Sequence, residues 1–92
     1  MIATFRHKGL RQFYEHDDGR KLPSELLPRI RLILSALDAA TGPDGMDNPL
    51  FRLHQLKGDL RGFWAVTVRA NWRIVFRFEH DDVFDVDFVD YH

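Results

Sequence analysis

The chain has 92 residues, with 13 Lys and Arg against 14 Asp and Glu and a formal net charge of −1, which excludes a strong bulk attraction to nucleic acid. Cysteine is absent, which excludes disulfides and thiol catalysis and suits a reducing cytoplasm. The apolar content of 45% supports one domain over residues 1–92. No apolar run approaches the roughly 20 residues that span a bilayer, so we expect a cytoplasmic protein without membrane contact.

The first half of the chain predicts one short strand and two helices. Residues 2–5 form an apolar run typical of a strand, and residues 7–15 carry apolar side chains at helical spacing. A loop over 16–24, rich in Asp, Gly and Pro, leads to a second helix that ends near Ala40. The apolar stripe of this second helix consists of Ile30, Ile33, Leu34 and Leu37.

The second half predicts an antiparallel sheet, because after a loop over 41–49 the apolar periodicity changes from 3.6 to 2. The predicted strands are 50–54, 62–69, 72–79 and 83–92. A two-residue turn at Ala70-Asn71, where Asn can adopt a positive φ, and a turn at 80–82 connect the last three strands.

Alternation assigns the strand residues to two faces. The predicted core face carries Trp64, Val66, Val68, Trp72, Ile74, Phe76, Phe78, Phe84, Val86 and Phe88. The opposite, open face carries Thr67, Arg69, Arg73, Arg77, Asp85 and Asp87. Helices packed on one side of an antiparallel sheet make an α+β domain.

The three arginines of the open face have two interpretations. Arg69, Arg73 and Arg77 can pair across strands with Asp85 and Asp87, as exposed charges often do. Alternatively, guanidinium groups bind oxyanions in a bidentate fashion and would form a cradle for phosphates. Arg73, directly after a turn and a tryptophan, is the best candidate for that role.

Two further segments carry groups that can exchange protons. His54 lies at the end of a predicted strand, with Lys57 in the following loop, and a surface histidine beside a solvated lysine is the simpler interpretation. The chain ends with Asp90, Tyr91 and His92, which are either a frayed terminus or a proton-transfer group that works near neutral pH.

Other chemistries have less support. A metal site formed by His54, Asp90 and His92 lacks any clustered ligand spacing. Ser24 and Ser35 lie on or near a helix, away from the candidate histidines, so nucleophilic catalysis is not indicated. We therefore expect no metal and no cofactor.

The stretches LHQLKG (53–58), VRANWRI (68–74) and the ending DYH (90–92) together resemble the HigB family of toxins, within the RelE/ParE superfamily of toxin–antitoxin modules. The opening FRHKGL (5–10) is also similar, and the resemblance covers nearly the whole chain. It implies two N-terminal helices on a curved, mainly antiparallel sheet of the microbial RNase type. It also implies cleavage of mRNA in the decoding site of the ribosome, which blocks translation.

The resemblance further assigns roles to residues. It implies that His54, Asp90, Tyr91 and His92 take part in cleavage, and that Lys57 and Arg73 lie where RNA phosphate is stabilised. Arg69, from the open face, is the third predicted phosphate-binding residue. It implies a helix-turn-helix antitoxin as partner, through which the toxin would contact operator DNA only indirectly.

Three functions remain open from the sequence. The first is a metal-independent endoribonuclease in which the 2′-OH of the mRNA attacks the neighbouring phosphate. The second is a ParE-like inhibitor of a protein such as gyrase, since that group shares the fold. The third is an inactive toxin-like partner in a repressor complex. The near-neutral charge departs from the basic character common in RNA-cleaving toxins, whereas His54 and the DYH ending favour RNA cleavage.

Overall fold

A computed structural model describes residues 1–91. Within them, two helices, α1 (Lys8–His16) and α2 (Leu27–Ala39), precede four strands, β1 (His54–Gln55), β2 (Trp64–Arg69), β3 (Trp72–Glu79) and β4 (Asp82–Asp90). The strands form one antiparallel sheet in chain order. This confirms the predicted α+β architecture of helices on an antiparallel sheet. None of the helices in this part of the chain is long and apolar enough to cross a membrane.

The main core lies between the helices and one face of the sheet. Both predicted helices form, and their apolar stripes are buried, so each large side chain contributes about 1.5–3 kcal/mol of burial free energy. The buried side chains of the helices are Leu10, Phe13, Ile30, Ile33, Leu34 and Leu37, and those of β2 to β4 are Val66, Val68, Ile74, Phe76, Val83, Val86 and Phe88.

A β-bulge in β4 changes which side chains face the core. Val75 pairs with Asp87, whereas Arg77 pairs with Phe84, so β4 contains one extra residue between these pairs. Asp85 occupies the left-handed region at the bulge, with φ 57°. The alternation therefore shifts by one residue. Val83 is fully buried in place of Phe84, and the assignment of Phe84 to the core face was wrong.

Two predicted strands are shorter than expected. Residues 2–5 make only two isolated parallel bridges to β4, Ile2 with Val83 and Phe5 with Val86. The bulge interrupts a regular ladder there, because the Asp85 N–H donates to the Thr4 hydroxyl at 2.8 Å. The predicted strand 50–54 contributes only its last residue, His54, to β1.

Arg52 explains why the edge strand starts late. Its φ of 53° is left-handed, which breaks the extended conformation two residues before β1 begins at His54. The Phe51 carbonyl nevertheless accepts the Thr67 N–H at 2.8 Å, so this segment still lies along β2.

The hairpin between β2 and β3 forms at the predicted Ala70-Asn71 turn, where Arg69 pairs with Trp72. The positive φ of 52° belongs to Ala70 and was expected at Asn71. The opposite face of the sheet also differs from the prediction of an open, polar surface. A second apolar cluster covers part of it, formed by Leu56, Phe63, Ala65 and Val75 with Leu60 and Val89 packed against it.

Candidate functional site

An open pocket of about 520 Å³ lies beside the β2–β3 hairpin. It is bounded by the second helix, the segment before β1, and strands β2 and β3. Three of its residues are arginines and one is a histidine, and no acidic residue of the described chain lines it. The lining residues are Arg29, Leu50, Arg52, His54, Thr67, Ala70 and Arg73.

Arg73 is fixed at this pocket by main-chain contacts. Its guanidinium donates hydrogen bonds to the carbonyl oxygens of Ala70 and Trp72. Its Nε is buried and has no acceptor among residues 1–91. The side chain is therefore held by its own hairpin, and no described carboxylate neutralises its charge.

Arg29 reaches the same pocket from α2. One of its terminal nitrogens donates to the Leu50 carbonyl and, at 3.1 Å, to the Thr67 carbonyl. Its guanidinium also lies 5.4 Å from the centre of the Phe51 ring, a cation–π distance. Because Thr67 is the cross-strand partner of Arg73, Arg29 contacts the backbone directly opposite Arg73.

The sequence did not identify Arg29 or Arg52 as site residues. Arg29 could have been recognised from the helical pattern, because it lies four residues before Ile33, which is buried. Residues four apart share one face of a helix, so Arg29 lies on the buried side of α2. A cation at the start of an apolar helical stripe needs a partner or a function. Arg52 offered no comparable signal, since its position depends on the left-handed turn before β1.

His54 opens β1 and is exposed, opposite Ala65 of β2. Its Nδ1 lies 3.2 Å from the Arg52 carbonyl oxygen. Since a carbonyl oxygen only accepts, this contact is a hydrogen bond when Nδ1 carries the proton. Nε2 is then the basic nitrogen, available to take a proton from a bound ligand.

Asp90 and Tyr91 lie beside the β2–β3 hairpin, which forms one wall of the pocket. Asp90 ends β4 opposite Trp72, and the Trp72 ring stacks on Phe88 with centroids 4.5 Å apart. The Tyr91 N–H donates to the Asn71 carbonyl at 2.7 Å, and the Tyr91 side chain is exposed. Tyr91 is thereby tied next to Ala70, which lines the pocket, although Asp90 and Tyr91 are not themselves lining residues. His92 lies outside the described residues.

The remaining candidate residues do not line the pocket. Lys57 is exposed in the loop before a short 3₁₀ turn at Gly58–Leu60. Arg69 lies 3.5 Å from Glu25, which precedes α2.

The ion-pair interpretation of the open face is correct only for Arg77. Arg77 pairs with Asp85 at 2.8 Å and with Glu79 at 2.7 Å. It was wrong for Arg69, which pairs with Glu25, and for Arg73, which bonds to carbonyl oxygens. Across residues 1–91, no three His, Asp or Glu side chains are grouped as metal ligands.

The sequence matches the family model of the RelE-like toxin of the type II toxin–antitoxin system HigB over residues 3–92. The chain belongs to this family of HigB-like toxins. It is 41% identical over 92 residues to the endoribonuclease HigB of Proteus vulgaris, which covers 100% of both chains. It is 33% identical over 79 residues to toxin HigB-1 of Vibrio cholerae, covering 84% of this chain and 83% of that relative.

Solved structures at low sequence identity share the fold of this HigB-like chain. The YoeB–YefM complex from Staphylococcus aureus matches with a TM-score of 0.64 at 15% identity, over 100% of this chain and 98% of that one. YafQ from E. coli matches with a TM-score of 0.64 at 10% identity, over 98% of this chain and 93% of the YafQ chain. As the toxin of a type II toxin–antitoxin system, the HigB-like chain has an antitoxin as its partner.

Proposed function

We propose that this HigB-like toxin is a metal-independent endoribonuclease that cleaves mRNA on the ribosome, with residues 1–92 acting as one domain. One observation carries the proposal: His54 and Arg73, which are distant in sequence, line the same pocket together with Arg29. The name of the Proteus vulgaris relative, an endoribonuclease, supports the same activity.

The reaction needs no nucleophile from the protein. The 2′-oxygen of a ribose attacks the adjacent phosphorus as its proton is removed, and the bond from phosphorus to the 5′-oxygen breaks. The 5′-oxygen leaves with a proton, so the products are a 2′,3′-cyclic phosphate and a 5′-hydroxyl. The requirement for a 2′-OH selects RNA over DNA.

His54 and His92 are the proposed proton-transfer pair, one as general base and the other as general acid. In the tautomer that bonds to the Arg52 carbonyl, the free Nε2 of His54 is a base. Asp90 orients or tunes an imidazole, and Tyr91 stacks on a base or bonds near the phosphate.

The cationic side chains have a separate role. Arg73 stabilises the charge that develops on the phosphoryl oxygens, an effect that is largest for donors fixed in advance. The hydrogen bonds from Arg73 to two carbonyl oxygens support such fixation. Lys57 and Arg69, outside the pocket, would contact the RNA backbone farther along the strand.

The partners follow from the same proposal. The ribosome presents the mRNA, which compensates for the weak attraction of a chain of net charge −1 to free RNA. A helix-turn-helix antitoxin neutralises the toxin and brings it to operator DNA.

Mapping of mRNA ends on purified ribosomes tests the activity. The wild-type toxin should produce new ends that carry a 2′,3′-cyclic phosphate, and His54→Gln and His92→Gln should each reduce the rate by at least about 10²-fold. An mRNA with 2′-O-methyl groups at the cleaved positions should remain intact. The exposed His80 in the β3–β4 turn provides the control, because His80→Gln should cleave normally.

Two results would refute the nuclease. One is arrest of translation by the wild-type toxin while the mRNA stays intact. The other is undiminished growth arrest by folded His92→Gln, which still binds the antitoxin. Either result would favour an inhibitor that acts on another target.

A further inference from the structure

The ten arginines of this chain differ in whether a carboxylate lies near them. Five have a carboxylate oxygen within 4.0 Å, as far as the described residues extend: Arg6, Arg20, Arg31, Arg69 and Arg77. The other five have none within residues 1–91, although the chain has more acidic than basic side chains. Three of these five, Arg29, Arg52 and Arg73, line the pocket, and the other two are Arg11 and Arg61. Positive charge is therefore concentrated at the pocket even though the net charge is near zero.

Arg29 is the least expected member of this pocket group. It is partly buried, its Nε has no acceptor among residues 1–91, and its hydrogen bonds go to uncharged carbonyl oxygens. Withdrawal of a guanidinium from water without a counter-ion costs free energy unless an anion binds there. Because buried charges in proteins are normally paired, an arginine of this kind at the wall of a pocket points to an anionic ligand.

We propose that Arg29 and Arg52 form a second phosphate subsite, which binds a phosphodiester next to the one held by Arg73. This inference rests on the proposed function and names its substrate contacts more closely. Arg29 bonds to the carbonyl of Thr67, the cross-strand partner of Arg73, and both guanidinium groups line the same pocket. The pocket volume of about 520 Å³ lies in the range that accommodates a nucleotide-sized ligand.

The subsite divides the labour within the pocket. Arg73 and His54 serve the phosphate at which bonds change, whereas Arg29 and Arg52 bind a phosphate that stays intact. Contacts to an unreacting phosphate hold ground state and transition state equally, so they affect substrate binding more than the chemical step. Replacement of Arg29 should accordingly raise the KM for ribosome-bound mRNA and leave kcat largely unchanged.

Binding of a short RNA with 2′-O-methyl groups throughout tests this subsite without cleavage. We expect Arg29→Gln to weaken binding about tenfold, as the loss of one charge-assisted contact predicts. The slope of log affinity against log salt should fall by about 0.7, the value for one phosphate contact on a single strand. In NMR spectra of the wild type, the RNA should shift the Nε–H signals of Arg29 and Arg73.

Arg52→Asn is the second variant, since Asn tolerates the left-handed conformation at this position and the Arg52 side chain is exposed. It should weaken binding and lower the salt slope in the same way, and it decides the matter if Arg29→Gln fails to fold. Arg11→Gln is the matched control, because Arg11 is exposed on α1, outside the pocket lining. Its affinity and salt slope should equal those of the wild type.

Wild-type affinity and salt slope in both folded Arg29→Gln and Arg52→Asn would overturn the subsite and leave the nuclease proposal intact. The opposite dissociation is also measurable. A wild-type toxin that binds the methylated RNA through Arg29 and Arg52, but leaves ribosome-bound mRNA intact, would support the phosphate subsite and refute the nuclease.

Discussion

Arg29 and Arg73 show how the choice of hydrogen-bond partner determines what a side chain can do. Both donate to main-chain carbonyl oxygens, which fix a guanidinium in space without cancelling its charge. The charge of Arg77 is instead neutralised by its ion pairs with Asp85 and Glu79. Of the three arginines that the sequence set side by side on one face, only Arg73 remains a charged group of the pocket.

Tyr14 and Asp38 form a second polar contact, between α1 and α2, with the Tyr14 hydroxyl 2.5 Å from the carboxylate. Burial and this hydrogen bond raise the pKa of Tyr14 to about 12. The hydrogen bond from Tyr14 lowers the pKa of Asp38. Because the folded state holds the Tyr14 proton more tightly, its stabilisation is complete below pH 10 and is lost as the pH rises towards 12.

Tyr14→Phe tests this contact. We expect the free energy of unfolding at pH 7 to fall by about 0.5–1 kcal/mol, the contribution of one partly exposed hydrogen bond. Between pH 10 and 12 the difference from the wild type should shrink. Urea denaturation at a series of pH values measures both effects. A loss of stability between pH 10 and 12 in Tyr14→Phe as large as that of the wild type would contradict the assignment to Tyr14.

Sequence patterns located some site residues and missed others for physical reasons. His54 and Arg73 were named in advance, and both line the pocket. Arg29 was not, because its contacts with Leu50 and Thr67 depend on how α2 crosses the sheet, which periodicity does not encode. The pattern did contain a cation on the buried side of α2, which can be recognised in similar chains.

At the level of elements, the bulge in β4 is the main departure from simple alternation. A strand with one extra residue reverses the faces on either side of it, and sequence alternation alone gives no sign of where this happens. The left-handed φ of Asp85 and the hydrogen bond of its N–H to Thr4 mark the place. The same bulge reduces the N-terminal segment to two bridges.

Truncation of two neighbouring side chains tests the reversed faces. Val83→Ala should lower the free energy of unfolding by about 2 kcal/mol, since it leaves a cavity in the main core. Phe84→Ala removes a larger side chain but should lower the free energy of unfolding by about 1 kcal/mol or less. The main contact that it removes is with the Arg77 guanidinium, which lies 5.1 Å from the centre of the Phe84 ring. Denaturant titrations measure both values, and a larger loss for Phe84→Ala would contradict the bulge.

The β2–β3 hairpin stores a smaller amount of strain. Ala70 has a φ of 52°, which costs an L-residue roughly 1–2 kcal/mol. Glycine adopts this φ without strain. Its greater conformational freedom stabilises the unfolded chain, but by less than the strain that is removed. Ala70→Gly should therefore raise the free energy of unfolding by about 0.5–1 kcal/mol, measured by thermal denaturation. Ala65→Gly, in the middle of β2, should lower it, and a loss of stability in Ala70→Gly would show that the turn is unstrained.

For the molecule as a whole, the balance of charge bears on the proposed dependence on the ribosome. With a net charge of −1, the toxin attracts RNA through a small number of cationic side chains, so few counter-ions are released on binding. At about 0.15 M salt we expect cleavage of ribosome-bound mRNA at toxin concentrations that leave the same free mRNA intact. Primer extension on both substrates checks this, and equal cleavage of the two would contradict ribosome dependence.

The fold class was accessible from the sequence because each level of pattern agreed. Helical stripes occupy the first half and alternating strands the second, with a turn signal at Ala70-Asn71 between β2 and β3. The edges of the sheet were less accessible. β1 and the N-terminal segment are defined by single left-handed residues, Arg52 and Asp85, whose conformation depends on tertiary contacts.

The carbonyl anchors of Arg29 and Arg73 also determine how the toxin gene should tolerate mutation. Every amino acid supplies a carbonyl oxygen, so Leu50 and Thr67 can change identity and still hold the guanidinium of Arg29. A library of toxin variants, selected for cells that survive expression, should therefore recover many inactivating codons at positions 29 and 73 and few at positions 50 and 67. The anchors of these two arginines belong to the backbone, so selection acts on Arg29 and Arg73 rather than on the side chains of Leu50 and Thr67.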